Sequence, residues 1–153
     1  MQQAYSKDVA VHLRHFPLPM HPDAEGAARA VQAAKRQGKE WVLTEKLFEN
    51  TRQLKPADIE GYAGGVGLDV TKFKADFESG EIKKQVQDDS DAGKAAGVRG
   101  TPSIFVNGRA FQGQRTLEGF RPVVEAEIKK ADKLLQAGTP LDKVYEKLSR
   151  GEG

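Results

Sequence analysis

Residues 8–16, DVAVHLRHF, alternate between apolar and polar positions. Val9, Val11 and Leu13 fall on one side and Ala10, His12 and Arg14 on the other, a period of two that predicts a strand. The prolines of PLPMHP (17–22) end it, because proline brings no N–H to a ladder. The period then becomes helical. Asp23 is the predicted N-cap of an alanine-rich helix over 24–37, closed by Gly38, and Ala27, Ala30 and Ala34 would let it lie close against a neighbour. A second helix is expected over about 39–53, with Trp41, Leu43, Leu47 and Phe48 on one side. Three more follow: KPADIEGYAGGVG (55–67), LDVTKFKADFESG (68–80) with Asp69 or Thr71 as cap and Phe73 and Phe77 at i,i+4, and a polar helix from Glu81 to near Gly97 with Ile82 and Val86 inward.

After Gly100 the period returns to two. Ile104–Val106 and Ala110–Gln112 read as strands joined at Asn107-Gly108, a pair that accepts the positive φ of a tight hairpin turn. Thr116 caps a helix to about Gln136, with Leu117, Phe120, Val124, Ile128 and Leu135 on its apolar side and Pro122 within it as a site for a bend or a later start. A short amphipathic helix over 140–149 ends the series. The order is α/β: strand, helices, hairpin, helix, helix.

Composition narrows the function classes. The chain has 153 residues, enough for one domain with a core, and its net charge is only +2, which gives no electrostatic case for nucleic acid or a membrane surface. No apolar run approaches the roughly 20 residues of a bilayer span, and MQQAYSKD at the start is not a signal peptide. There are no cysteines, so the chain holds no disulfide, thiolate metal site or thiol nucleophile.

Three separated blocks carry a family resemblance. LRHFPLPMHPDAEGAARA (13–30), GVRGTPSIFVNGR (97–109) and FQGQRTLEGFRPVVEAEI (111–128) resemble the second strand and turn, the cis-proline loop and hairpin, and the last strand and C-terminal helix of the DsbA-like branch of the thioredoxin superfamily. The resemblance covers about 5–136. It implies a thioredoxin-like α/β fold with a helical insertion at about 23–97 inside a domain of 1–136, followed by a helical extension over 137–153. It also implies thiol–disulfide oxidoreduction by family, a cis peptide before Pro102, and an extended peptide or protein substrate beside Gly100, Thr101 and Pro102. The plain alternative for Pro102 is a trans proline at the start of a strand.

The departure from the family decides the expected chemistry. The family's first, central strand and the Cys-x-x-Cys at the start of its helix have no counterpart here, and MQQAYSKD resembles only that helix's last turn. Exchange needs a thiolate, favoured at a helix N-terminus, that attacks through a mixed disulfide. The chain is therefore expected to have no catalytic residue of its own, to need no cofactor, and to be a truncated form inactive in isolation. A missing central strand leaves backbone groups unpaired at roughly 1–3 kcal/mol each. Direct pairing of the remaining strands, a segment from a second copy, or a complementing chain could close the gap, and assembly of at least two chains is the favoured route. The alternative reading is a cysteine-free, non-enzymatic domain that binds a peptide or partner through the Thr101–Pro102 groove and completes its sheet by oligomerisation. Relatives are often exported, whereas the first residues here carry no export signal, so the compartment stays open.

The remaining candidates have plain readings. His12, His15 and His21 form no metal set and read as surface or loop residues, with His21 packing or hydrogen bonding in its HPDA turn. Asp88, Asp89, Ser90 and Asp91 suggest a solvated helix face rather than a Ca²⁺ loop, and AGGVG (63–67) is a helix end rather than a phosphate loop. Trp41, Phe73, Phe77 and Phe120 read as core.

Overall fold

Alanine sets how closely the first five helices approach one another. In the computed structural model, which describes residues 4–153, the chain divides into two compact units. One is 13–101; the other joins the N-terminal residues through His12 to Pro102–Gly153.

The unit 13–101 contains α1 (Ala24–Lys35), α2 (Glu40–Glu49), α3 (Pro56–Gly65), α4 (Val70–Glu78) and α5 (Gly80–Ala95). Helix α1 packs against all four of the others. Its Ala30, Ala33 and Ala34 are fully buried, and their short side chains let Leu43, Leu47, Ile59, Phe73, Phe77 and Ile82 close around it as one core. The backbone turns follow the expected chemistry. Gly38 takes φ +70°, which lets the Lys39 N–H reach back 3.0 Å to the Ala34 carbonyl. Asp69, not Thr71, caps α4 by accepting from the Lys72 N–H at 3.0 Å. A single hydroxyl joins α4 to α5: Ser79 Oγ donates to the Asp76 carbonyl at 2.7 Å and accepts from the Ile82 N–H at 3.2 Å.

Side chains with both apolar and polar parts tie these helices together. The Arg29 guanidinium lies 4.4 Å from the centre of the Phe77 ring and donates to the Phe77 carbonyl at the end of α4. Lys39 Nζ donates to the Val66 and Gly67 carbonyls at 2.9 and 2.7 Å, covering the C-terminal end of α3 with a cation where the helix dipole favours one.

Asp23, Phe48 and Trp41 depart from expectation. Asp23 stands at the N-cap of α1 but makes no capping bond, because its carboxylate accepts from Lys55 Nζ at 3.0 Å instead. Phe48 faces solvent at 75% exposure: Leu43 and Leu47, four residues apart, take the inward stripe of α2, and the next position turns away. Trp41 is only half-buried.

The second unit holds β1 (Phe105–Val106), β2 (Arg109–Ala110), α6 (Leu117–Gln136) and α7 (Leu141–Ser149). The strands are antiparallel, with Phe105 opposite Ala110 and Val106 opposite Arg109. Asn107 at φ +44° and Gly108 at φ +80° form the turn, and positive φ at both central residues matches the twist of the flanking strands. Thr116 caps α6 by accepting from the Gly119 N–H at 3.1 Å, so the helix starts where expected and runs through Pro122. Pro122 lies in the second turn of α6.

The apolar side expected for α6 is only partly covered. Val124 is buried, Phe120 and Ile128 are half-buried, and Leu117 and Leu135 are 37% and 40% exposed. On α7, Val144 and Leu148 are buried while Leu141 and Tyr145 are exposed.

The strand expected over 8–16 does not form, since among the described residues the only sheet is the β1–β2 pair. Alternation establishes sidedness, but a strand also requires a neighbour for its N–H and C=O groups, and Val11 and Leu13 remain 39% and 36% exposed. Among the described residues no helix is long and apolar enough to cross a membrane.

Candidate functional site

Residues 97–103 lead from α5 into the hairpin. Gly97 at φ +80° turns the chain after the helix, and the Val98 N–H returns 2.9 Å to the Gly93 carbonyl. Gly100 is half-buried, whereas Thr101 and Pro102 are exposed. The two compact units divide between Thr101 and Pro102. On the Pro102 side, Arg115 Nη2 donates to the Pro102 carbonyl at 2.9 Å, and the Phe111 N–H donates to the Ile104 carbonyl at 2.8 Å, one step beyond the β1–β2 ladder. Arg115 was not singled out by the sequence; nothing in a lone arginine within a turn marks it as a brace for a proline thirteen residues earlier.

The hairpin is held from α6 by a buried carboxylate. Glu127 accepts from Asn107 Nδ2 at 3.0 Å and from Lys130 Nζ at 2.7 Å, with Arg109 Nη1 at 3.7 Å. Burial by itself pushes this carboxyl group up, but the hydrogen bonds from Lys130 and Asn107 and the charges of Lys130 and Arg109 outweigh it, so the group titrates below its ordinary range. Behind the hairpin the Phe111 and Phe120 rings stack with centroids 4.2 Å apart.

A second polar centre lies in the other unit and corrects the reading of the acidic cluster. Asp89 is buried, as is Ser90, while Asp88 and Asp91 are exposed. The Asp89 carboxylate accepts from Arg14 Nη1 at 2.8 Å, from the His15 main-chain N–H at 3.1 Å and from Gln32 Nε2 at 3.4 Å. It thereby ties the segment before α1 to α5. The signal for this was present in the register: Asp89 stands three residues beyond Val86, on the inward stripe that begins at Ile82.

His15 lies in the irregular segment before α1, a loop position, but is buried rather than on the surface. His12 and His21 are exposed, and the His21 main-chain N–H donates to the Leu18 carbonyl at 2.9 Å. Among the described residues no group of His, Cys, Asp or Glu is placed to hold a metal ion.

Desolvation lowers the His15 pKa below its ordinary 6.5; the nearby Asp89 charge opposes this and the Lys35 charge adds to it. In the unfolded chain His15 takes up a proton at its ordinary pKa, whereas in the folded chain it resists, so stability is lost as pH falls below about 6.5. Urea midpoints measured across that range are expected to fall more steeply for the native sequence than for His15→Gln. Equal slopes would remove His15 as the source.

Comparison with known proteins places this arrangement. The model of the DSBA-like thioredoxin domain family matches residues 1–125. Among curated proteins, the chain is 36% identical over 112 residues to a protein of Salinispora arenicola named "Na(+)/H(+) antiporter NhaA 1", covering 72% of this chain and 17% of that one. It is 37% identical over 112 residues to a protein of the same name from Mycolicibacterium gilvum, covering 71% and 18% respectively. It is 35% identical over 122 residues to "Na(+)/H(+) antiporter NhaA" of Herminiimonas arsenicoxydans, covering 80% and 19%. The chain thus spans less than a fifth of the length of these relatives. No solved structure matches it at a significant level. With four-fifths of its length under that one family model, and with a cysteine-free Thr-Pro loop leading into a hairpin backed by a long helix, the chain belongs to the DSBA-like thioredoxin domain family.

Proposed function

We propose that these residues form the substrate-side wall of a DsbA-like domain, and that they bind an extended peptide without performing thiol exchange themselves. The observation that carries this reading is the absence of any cysteine from a chain that matches the family over residues 1–125. Thiolate attack is the chemistry of exchange, and no other side chain supplies an equivalent electron store. What the chain does offer is an exposed Thr101-Pro102 pair, a Pro102 carbonyl held by Arg115, and a short strand that begins three residues after Pro102. An extended peptide laid along such an edge gains main-chain hydrogen bonds. The antiporter activity named for the relatives is not carried over, because the chain spans less than a fifth of their length.

Titrating the labelled chain with an unstructured, cysteine-free peptide tests this. Amide shifts are expected to concentrate at Gly100, Thr101 and Ser103 and along β1. Arg115→Ala should weaken binding by about fivefold, in line with the net worth of about 1 kcal/mol for one hydrogen bond on an exposed surface. Insulin reduction by the chain alone should stay at background. Shifts scattered elsewhere, or turnover of insulin, would refute the reading.

The exposed apolar side chains support completion of the sheet by a further strand as a second reading. Phe105 on β1 and Val11 are 40% and 39% exposed, and an isolated two-stranded hairpin is marginal in water. A second copy is the simplest donor. Light scattering is expected to show at least a dimer at micromolar concentration, and a monomer at every concentration would exclude self-association.

A further inference from the structure

We infer that the cleft between α1 and α5 is a binding site for a small organic monocarboxylate. Helix α1 contributes Gln32 and Lys35, three residues apart, and α5 contributes Gln85 with Asp88 and Asp89, which follow it by three and four residues. Arg14 lines the cleft as well, and the open space has a volume of about 500 Å³, in the size range of small-molecule sites.

The charges lining this cleft are unequally committed. Asp89 is engaged by Arg14, the His15 N–H and Gln32. Asp88 is paired with Lys84 Nζ at 2.6 Å. Arg36, at the margin, is held by Asp76 and by Glu81 at 2.6 Å. Lys35 has no ion-pair partner among the described residues, and it faces the same cleft as Arg14.

Arg14 is the informative residue. Its side chain is 80% exposed, yet its direction is set by a carboxylate that is only 5% exposed. A surface arginine gains little stability from such a bond. The brace does, however, fix a planar guanidinium whose remaining N–H groups are free to engage a second carboxylate. Lys35 supplies the compensating charge, and the Gln32 and Gln85 amides supply neutral donors. Asp88 and Asp89 in the same lining repel a second negative charge, which favours a monoanion over phosphate or a dicarboxylate.

The test is titration of the labelled full chain with propionate, and separately with inorganic phosphate and with chloride, at constant ionic strength. Saturable shifts at Gln32, Lys35 and Gln85 with propionate are expected, with phosphate weaker. Lys35→Met and Arg14→Gln should each raise the dissociation constant about tenfold. Lys35 is exposed and unpaired, so Lys35→Met retains the dispersed spectrum of the folded chain and isolates the binding effect. Unsaturable shifts, equal shifts with chloride, tighter binding of phosphate, or propionate binding unchanged by Lys35→Met would each overturn the assignment.

Discussion

Phe73→Ala is expected to destabilise the unit 13–101 by about 3–5 kcal/mol. Phe73 is 2% exposed and is among the largest fully buried side chains. Its ring lies 5.9 Å from that of Phe77, which in turn carries the Arg29 guanidinium. The cost of such a truncation depends on how far the neighbours can collapse into the space. Here they cannot go far: Ala30, Ala33 and Ala34 already bring α1 close, and their side chains are too short to reach into the gap. The cavity therefore persists, which favours the upper part of the range. Urea unfolding followed by the fluorescence of Trp41 measures the loss, and a change below about 1 kcal/mol would show that the core is not packed as described.

Glu127→Ala is expected to cost the hairpin unit about 1.5–3 kcal/mol, the range for hydrogen bonds to a charged group. The effect is large relative to what that unit has to spare. Its buried apolar side chains are Val124, Val144 and Leu148, and each of its strands is two residues long. The carboxylate is what holds the Asn107 turn to α6. Hydrogen exchange reads this directly, because the Phe111 N–H bonded to the Ile104 carbonyl should lose protection. Glu127→Gln, which keeps an acceptor and loses the charge, should fall between native and alanine. Since the folded pKa of Glu127 is depressed, its contribution is complete above its ordinary 4.5 and fades as pH falls through the lower folded value. Unchanged exchange at Phe111 in Glu127→Ala would show that the hairpin is held by something else.

Most of the helical unit 13–101 was legible because its signals are local. Glycine and aspartate punctuate it, and pairs such as Phe73 and Phe77 share a face by spacing alone. The hairpin was legible for the same reason, from Asn107-Gly108. Features that depend on distant residues were not. The alternation of Val9, Val11 and Leu13 carries no information about whether a neighbouring strand is present. Asp23 is a good N-cap residue whose carboxylate was taken by a lysine 32 positions away. Asp89 groups with its acidic neighbours along the chain, although it is buried on the stripe of Ile82 and Val86 while Asp88 and Asp91 are exposed. Of the candidate site, the Thr101-Pro102 loop was legible as a motif; Arg115 and Glu127, which brace it and the hairpin, act across the chain and carry no motif.

The bond between Asn107 and Glu127 has a consequence for how the protein ages. In an Asn-Gly pair the glycine nitrogen can attack the asparagine side-chain carbonyl, forming a cyclic imide and releasing ammonia; water then opens the ring to aspartate or isoaspartate. The attack requires the side-chain amide to align with the Gly108 nitrogen, and donation from Nδ2 to Glu127 restrains that movement. Folded hairpin is thus the form protected from this damage. Each molecule that does react places a new carboxylate against Glu127, replacing a donor with a like charge, and so loosens the turn that had protected it.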